Sequence, residues 1–253
     1  MINKSFSIIP KTIFFLCICF IFCVSIIALI LVSKKGNENN SYTPPETSQK
    51  SKYENCPTVI IDAGHGGEDG GAVGIDGTVE KDLNLSIALE LDALLRAEGI
   101  PTRLTRSEDI LLYDKNSDYQ GHKKAQDMAQ RLKIAEEYED AIFISIHMNS
   151  FPQKQYKGLQ VYYSTNSPSS SILAQKIQTL IANNLQPDNK RSIKPSESGI
   201  YLLEHIYHPT VLVECGFLSN KEDCSNLNSS SYRSRLCIIM FTAICDYFQS
   251  LDT

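Results

Sequence analysis

The chain has 253 residues, 42% of them hydrophobic, with 24 Lys and Arg against 29 Asp and Glu and a formal net charge of −5. Residues 1–35 hold four of the lysines and no acid, which leaves 20 basic against 29 acidic side chains in residues 36–253. So acidic a body excludes nucleic acid as a partner, because that binding depends on neutralising phosphates. Three of the eight cysteines, Cys17, Cys19 and Cys23, fall in an apolar amino-terminal run. The other five, Cys56, Cys215, Cys224, Cys237 and Cys245, show no CxxC spacing, so a structural zinc knuckle is excluded and free thiols are expected.

In chain order, residues 1–12 form a short basic segment with Lys4 and Lys11, and residues 13–33 read as a transmembrane anchor. Ile13 to Val32 is 20 residues without a charge, which as a helix spans about 30 Å, the hydrocarbon thickness of a bilayer. A cleaved signal would have a shorter apolar core and a small-residue cleavage site. Here the run passes straight into Ser33, Lys34 and Lys35, so the anchor is expected to stay, with the rest of the chain outside the cytoplasm. Residues 34–55 are a polar linker containing Asn39-Asn40 and Pro44-Pro45, and residues 56–253 fit one catalytic domain.

Within that domain, strands and helices alternate. Thr58–Ala63 is an apolar run that breaks into Gly64, Gly66 and Gly67, as a buried strand ending in a sharp turn does. Asp82–Ala97 carries Leu83, Ile87, Leu91, Leu94 and Leu95 at helical spacing, with Gly99 as its stop. A short strand follows at Pro101–Thr105, then an irregular loop from Glu108 to Gly121, then a helix over His122–Tyr138. Strands are expected at Ala141–Ile146 and Gly158–Ser164, a helix at Ser170–Leu185, a polar stretch at Gln186–Ser198 and a short strand at Ile200–Leu203. The last strand is Thr210–Val213 and the last helix Ser234–Phe248. This alternation predicts a single-domain α/β fold, a three-layer sandwich with a mostly parallel twisted sheet flanked by helices.

Three of the strands end in residues that bind metals or move protons: His65, His147 and Glu214. Ligands of open parallel sheets bind beyond the carboxyl ends of the strands, so these residues converge. Glu80, just ahead of the first helix, can reach the same place. Two imidazoles and a carboxylate with an open fourth position form a catalytic zinc set, and Glu214 would serve beside it as a base. Each residue alone also has a plain structural reading, a hydrogen-bonded strand-end histidine or an acid favouring a helix amino end. Their coincidence at one sheet edge favours the site.

Five segments occur in order: Asp62-Ala-Gly-His-Gly-Gly, Val79-Glu-Lys-Asp-Leu-Asn-Leu, Leu104-Thr-Arg, Phe143-Ile-Ser-Ile-His-Met-Asn and Val211-Leu-Val-Glu-Cys-Gly-Phe-Leu-Ser-Asn. Together they resemble the zinc-dependent N-acetylmuramoyl-L-alanine amidases of bacterial cell walls, the amidase_3 family, over residues 57–250. The resemblance implies one Zn2+ held by His65, Glu80 and His147, with Glu214 catalytic, and peptidoglycan as substrate. Within the family the chain looks most like the membrane-anchored amidases of endospore formers, which act on cortex peptidoglycan before a deacetylase completes muramic-δ-lactam. That implies a polysaccharide deacetylase or activator as a further partner, and the cell wall or the forespore intermembrane space as the location.

Asn149 and Arg131 fall where the family pattern has polar residues near the site and are weaker substrate-binding candidates; a turn residue and a helix-surface charge are their plain readings. Glu68 and Asp69 follow His65 and read as solvated loop acids, while His122, His205 and His208 read as structural. Three alternatives remain: a vegetative autolysin of the same family, a zinc carboxypeptidase cutting within the stem peptide, and a non-catalytic wall-binding protein. The second should place a cation for a terminal carboxylate, and no motif marks one. The third should lack one of the four site residues, and all are present.

Overall fold

The computed structural model describes residues 53–251 apart from residues 54, 115, 117–120, 197 and 198. The basic segment, the anchor over 13–33 and nearly all of the linker lie outside the described residues. Among those described, no helix is long and apolar enough to cross a membrane.

The elements are β1 (Thr58–Ala63), α1 (Glu80–Ala97), β2 (Thr102–Leu104), α2 (Lys123–Glu136), β3 (Ala141–Asn149), β4 (Gln160–Tyr163), α3 (Ser169–Asn184), β5 (Lys194–Pro195), α4 (Tyr201–His205), β6 (Thr210–Phe217), α5 (Lys221–Asn228) and α6 (Ser230–Gln249). One six-stranded sheet runs in the order β2-β1-β3-β6-β4-β5. Strands β2, β1, β3 and β6 are parallel, whereas β4 pairs antiparallel with β6 and parallel with β5. The sheet is therefore mixed, and the turnover falls beside β6.

Alternation along each strand divides the core in two. On one face Val59, Ile61, Ile144 and Val213 pack with Leu91 of α1, Ile177 of α3 and Met240 of α6. On the other, Ile60 and Phe143 meet Ala135 of α2 and Leu202 and Ile206 around α4 in a smaller cluster. Each fully buried Ile or Leu contributes about 1.5–3 kcal/mol. Gly99 takes φ 77° after α1, and Ile100 N–H returns to the Leu95 carbonyl, so the predicted stop operates as an αL cap.

Three local expectations are corrected. Ile200–Leu203 is not a strand: Tyr201–His205 is a helical turn, its apolar run placing Leu202 and Ile206 one turn apart on the sheet. A short apolar run cannot separate the two periods on its own. Helix α5 was not expected, being mostly polar; Asn220 caps it by accepting from Glu222 and Asp223 N–H. Strands β3 and β6 extend beyond their expected ends, so His147 and Glu214 lie within strands rather than at their exits.

Candidate metal centre and active site

His65 sits in the turn after β1 and is the one non-glycine residue among those described with positive φ, at 61°. Such backbone costs of order 1–3 kcal/mol and persists only where the surroundings hold it. Two buried arginines do so. Arg106, from the Leu104-Thr-Arg segment, donates to the carbonyls of Ala63, Gly64, Lys81 and Glu108. Arg131, on α2, donates to the carbonyls of Ala63 and His65. Arg131 is in turn paired with Asp62 and Asp127.

The turn delivers His65 to the end of β3. His65 Nε2 and His147 Nδ1 stand 3.3 Å and 3.0 Å from the same oxygen, Oε1 of Glu80. Glu80 is the first residue of α1, yet its carboxylate turns away from its own helix. It accepts from Ala72 N–H at 2.7 Å and from Met148 N–H at 2.9 Å. Burial would raise its pKa, but the two imidazoles hold it well below the usual carboxylate range. Asn84, one turn along α1, donates to the Gly64 carbonyl and, at 3.4 Å, to Glu80.

These residues fit a metal ion. One donor atom from each of His65, Glu80 and His147 lies within 4.8 Å of the others. Ligands about 2.0–2.1 Å from one tetrahedral ion stand roughly 3.3 Å apart, close to the spacings here. The space is also kept clear of side chains. A Cβ on Gly64 would lie 2.3 Å from the His147 ring, and one on Gly71 would lie 2.5 Å from Glu80 Oε2 and 2.7 Å from the His65 ring.

Glu214 is the cross-strand partner of His147. Its Oε2 is buried with no hydrogen-bond partner among the described residues. Burial pushes its carboxyl up to about 7; His147 and His65 oppose the rise and Glu80 adds to it. A carboxyl at that value gives and takes protons near neutrality. A cavity of about 340 Å³ opens on His65 and His147, walled by Met128, Tyr201 and Leu203.

All four principal residues expected from the sequence are thus brought together. Arg131 is placed differently from a substrate contact: its side chain has 0% exposure, because Asp62, Asp127 and two backbone carbonyls consume it, and it supports the His65 turn. Asn149 is half-buried at the end of β3, where its carbonyl receives Leu218 N–H. Asp69 is more than a solvated acid: its Oδ2 lies 3.0 Å from His65 Nδ1, fixing the ring with Nε2 toward Glu80. His122 and His205 lie apart from the cluster, the latter stacked on Tyr201, and none of the five described cysteines is in a disulfide.

A mixed α/β sheet presenting two imidazoles, a carboxylate and an adjoining base at one edge defines a hydrolase whose three donors could hold a metal ion. Sequence comparison gives its family: the N-acetylmuramoyl-L-alanine amidase profile matches residues 59–246, and the chain belongs to that family. It is an amidase acting on peptidoglycan. The germination-specific N-acetylmuramoyl-L-alanine amidase of Bacillus subtilis (strain 168) is 30% identical over 223 residues, 88% of this chain and 91% of its own. The CwlD amidase of Clostridioides difficile, solved in complex with the GerS lipoprotein, is 36% identical. It superposes with a TM-score of 0.72 over 77% of this chain and 99% of its own. The AmiC2 amidase of Nostoc punctiforme gives 32% identity and a TM-score of 0.65 over 76% and 97%.

Proposed function

We propose that the chain is a zinc-dependent enzyme of spore cortex maturation, cutting the amide between the lactyl group of N-acetylmuramic acid and L-alanine. The anchor over 13–33 would hold it to the membrane with the catalytic domain outside the cytoplasm. The observation that carries the chemistry is the His65–Glu80–His147 cluster beside the unpartnered buried oxygen of Glu214.

Nitrogen and oxygen donors of this kind suit zinc. When bound, zinc polarises a carbonyl oxygen and makes water acidic near neutral pH. The remaining work belongs to the chain. Asp69 holds the His65 tautomer, and the Ala72 and Met148 amides keep Glu80 aimed at both rings. Glu214 takes a proton from the attacking water and returns it to the departing alanine amine.

The cortex role is supported by likeness to the germination-specific amidase and to CwlD. The GerS lipoprotein is CwlD's partner in that structure. By analogy, this chain would take an activating protein partner, with a polysaccharide deacetylase consuming its product toward muramic-δ-lactam. Mass spectrometry of peptidoglycan treated with the full chain, with and without a chelator, tests the reaction. Chelator-sensitive release of peptides with a free L-alanine amino terminus is expected. Cleavage within the stem peptide would instead make the enzyme a peptidase.

A further inference from the structure

Beyond Glu214 the site edge continues onto β4, because the antiparallel turnover brings the start of that strand to the finish of β6. Gln160 is the register partner of Glu214, and cross-strand partners project from the same face with Cβ atoms about 5 Å apart. The buried Gln160 amide is held on both sides, donating to the Ser192 carbonyl and accepting from Arg191 Nη1 at 3.0 Å.

Arg191 is unusually placed for a cation. Its Nε donates to the Lys157 carbonyl at 2.9 Å. Its guanidinium carbon lies 4.7 Å from the Phe217 ring centroid and 6.0 Å from that of Tyr156. Yet no carboxylate pairs with it among the described residues. The neighbouring acids are engaged: Glu222 with Lys157 at 2.7 Å, and Asp223 with the N–H groups of Gly158 and Phe217. Asp188 lies within electrostatic reach of Lys157. Arg191 is partly exposed, so its remaining N–H groups can be reached. A guanidinium fixed by two hydrogen bonds and two aromatic faces, without a counter-ion, is preorganised to receive a carboxylate.

Position decides which carboxylate. In the reaction proposed above, on which this inference rests, Glu214 returns a proton to the departing amine, so the peptide side of the substrate lies at Glu214. Arg191 stands one strand further on. Strands are about 4.8 Å apart, and an extended peptide advances about 3.3–3.6 Å per residue. We propose that Arg191 is a specificity determinant that receives a carboxylate carried one or two residues beyond the leaving alanine.

The test uses the full chain, wild type and Arg191→Gln, with two synthetic substrates. These are N-acetylmuramoyl-L-alanyl-glutamate and its glutamine counterpart, which differ by one carboxylate. The wild type is expected to show a KM about tenfold or more lower for the acid with similar kcat, as loss of a charge-assisted bond implies. Arg191→Gln should bring the two KM values within about twofold while keeping kcat on the amide; Arg191→Lys should retain part of the preference. An unchanged KM ratio in Arg191→Gln, or no preference in the wild type, overturns the assignment. Should the wild type hydrolyse neither substrate, the lack of its activating partner accounts for it, and calorimetric binding of the two alanyl dipeptides answers for Arg191. Preference for the acid that vanishes in Arg191→Gln supports it; equal binding overturns it.

Discussion

Arg131 and His65 are joined by a 2.8 Å hydrogen bond from guanidinium to backbone carbonyl across 66 positions of sequence. The bond ties the one strained non-glycine residue described to the helix on the opposite side of the cleft. It explains why an arginine with no exposed surface belongs to this site.

Arg131→Met should therefore act twice. Removing one partner of a buried ion pair costs about 3–5 kcal/mol, here leaving Asp62 and Asp127 unpaired. Urea denaturation should show that loss. Zinc affinity, measured in the folded range, should fall as well, since the His65 turn loses its support. Unchanged affinity would mean that Arg106 alone suffices.

The same pair sets an acid response. Burial alone would raise the Asp62 pKa, but Arg131, together with Ser145, His147 and Thr105, holds it below the ordinary carboxylate value. A carboxylate depressed in the folded state stabilises fully above its unfolded pKa, about 3.9. That contribution disappears as pH falls through the lower folded value. The urea midpoint should drop steeply below pH 4, and Asp62→Asn should be less stable at pH 7 with a shallower acid limb. Parallel limbs would assign the acid sensitivity elsewhere.

Glu214→Gln should separate metal from chemistry. Its shape and burial are retained, so zinc content should match the wild type while turnover falls about 10²–10⁴-fold, the usual worth of a positioned acid–base group. His65→Ala is the complement and should lose zinc itself. Near-normal turnover in the glutamine variant would remove Glu214 from the proton path.

Gly64→Ala probes the cleared space. Its Cβ would lie 2.3 Å from the His147 ring, so the imidazole must move although no ligand has been changed. Zinc affinity should drop about 10–100-fold, as when a ligand's support is disturbed, with little change in the far-ultraviolet dichroism spectrum. Full retention of zinc would show that His147 has slack which the packing does not suggest.

Much of this was readable from the chain because buried parallel strands announce themselves by composition. The apolar runs before His65, His147 and Glu214 place those side chains at one edge of a parallel sheet by composition alone. Arg131 and Asp69 were less legible: helix and loop charges usually face water, and only the close approach of α2 to the glycine turn shows what they hold. Arg191 was out of reach altogether. It lies in a polar stretch whose return to β4 depends on long-range pairing of Lys194–Pro195 with Tyr162 and Tyr163. The turn at Tyr201–His205 failed for another reason, since four apolar residues satisfy either period and the sheet beneath decides.

The strained turn is gripped partly from the lesser of the two cores, the one formed by α2 and α4 against Ile60 and Phe143. A local opening of that layer would remove one of the two arginines that hold the His65 turn, while the larger layer stays closed. Amide exchange of α2 and the release of a bound ion would then be linked. A bound ion, by mass action, slows the exchange of a helix that contributes none of its ligands. Occupancy of the centre is thus written into the breathing of its neighbour, and a partner that clamps α2 would retain the metal without touching it.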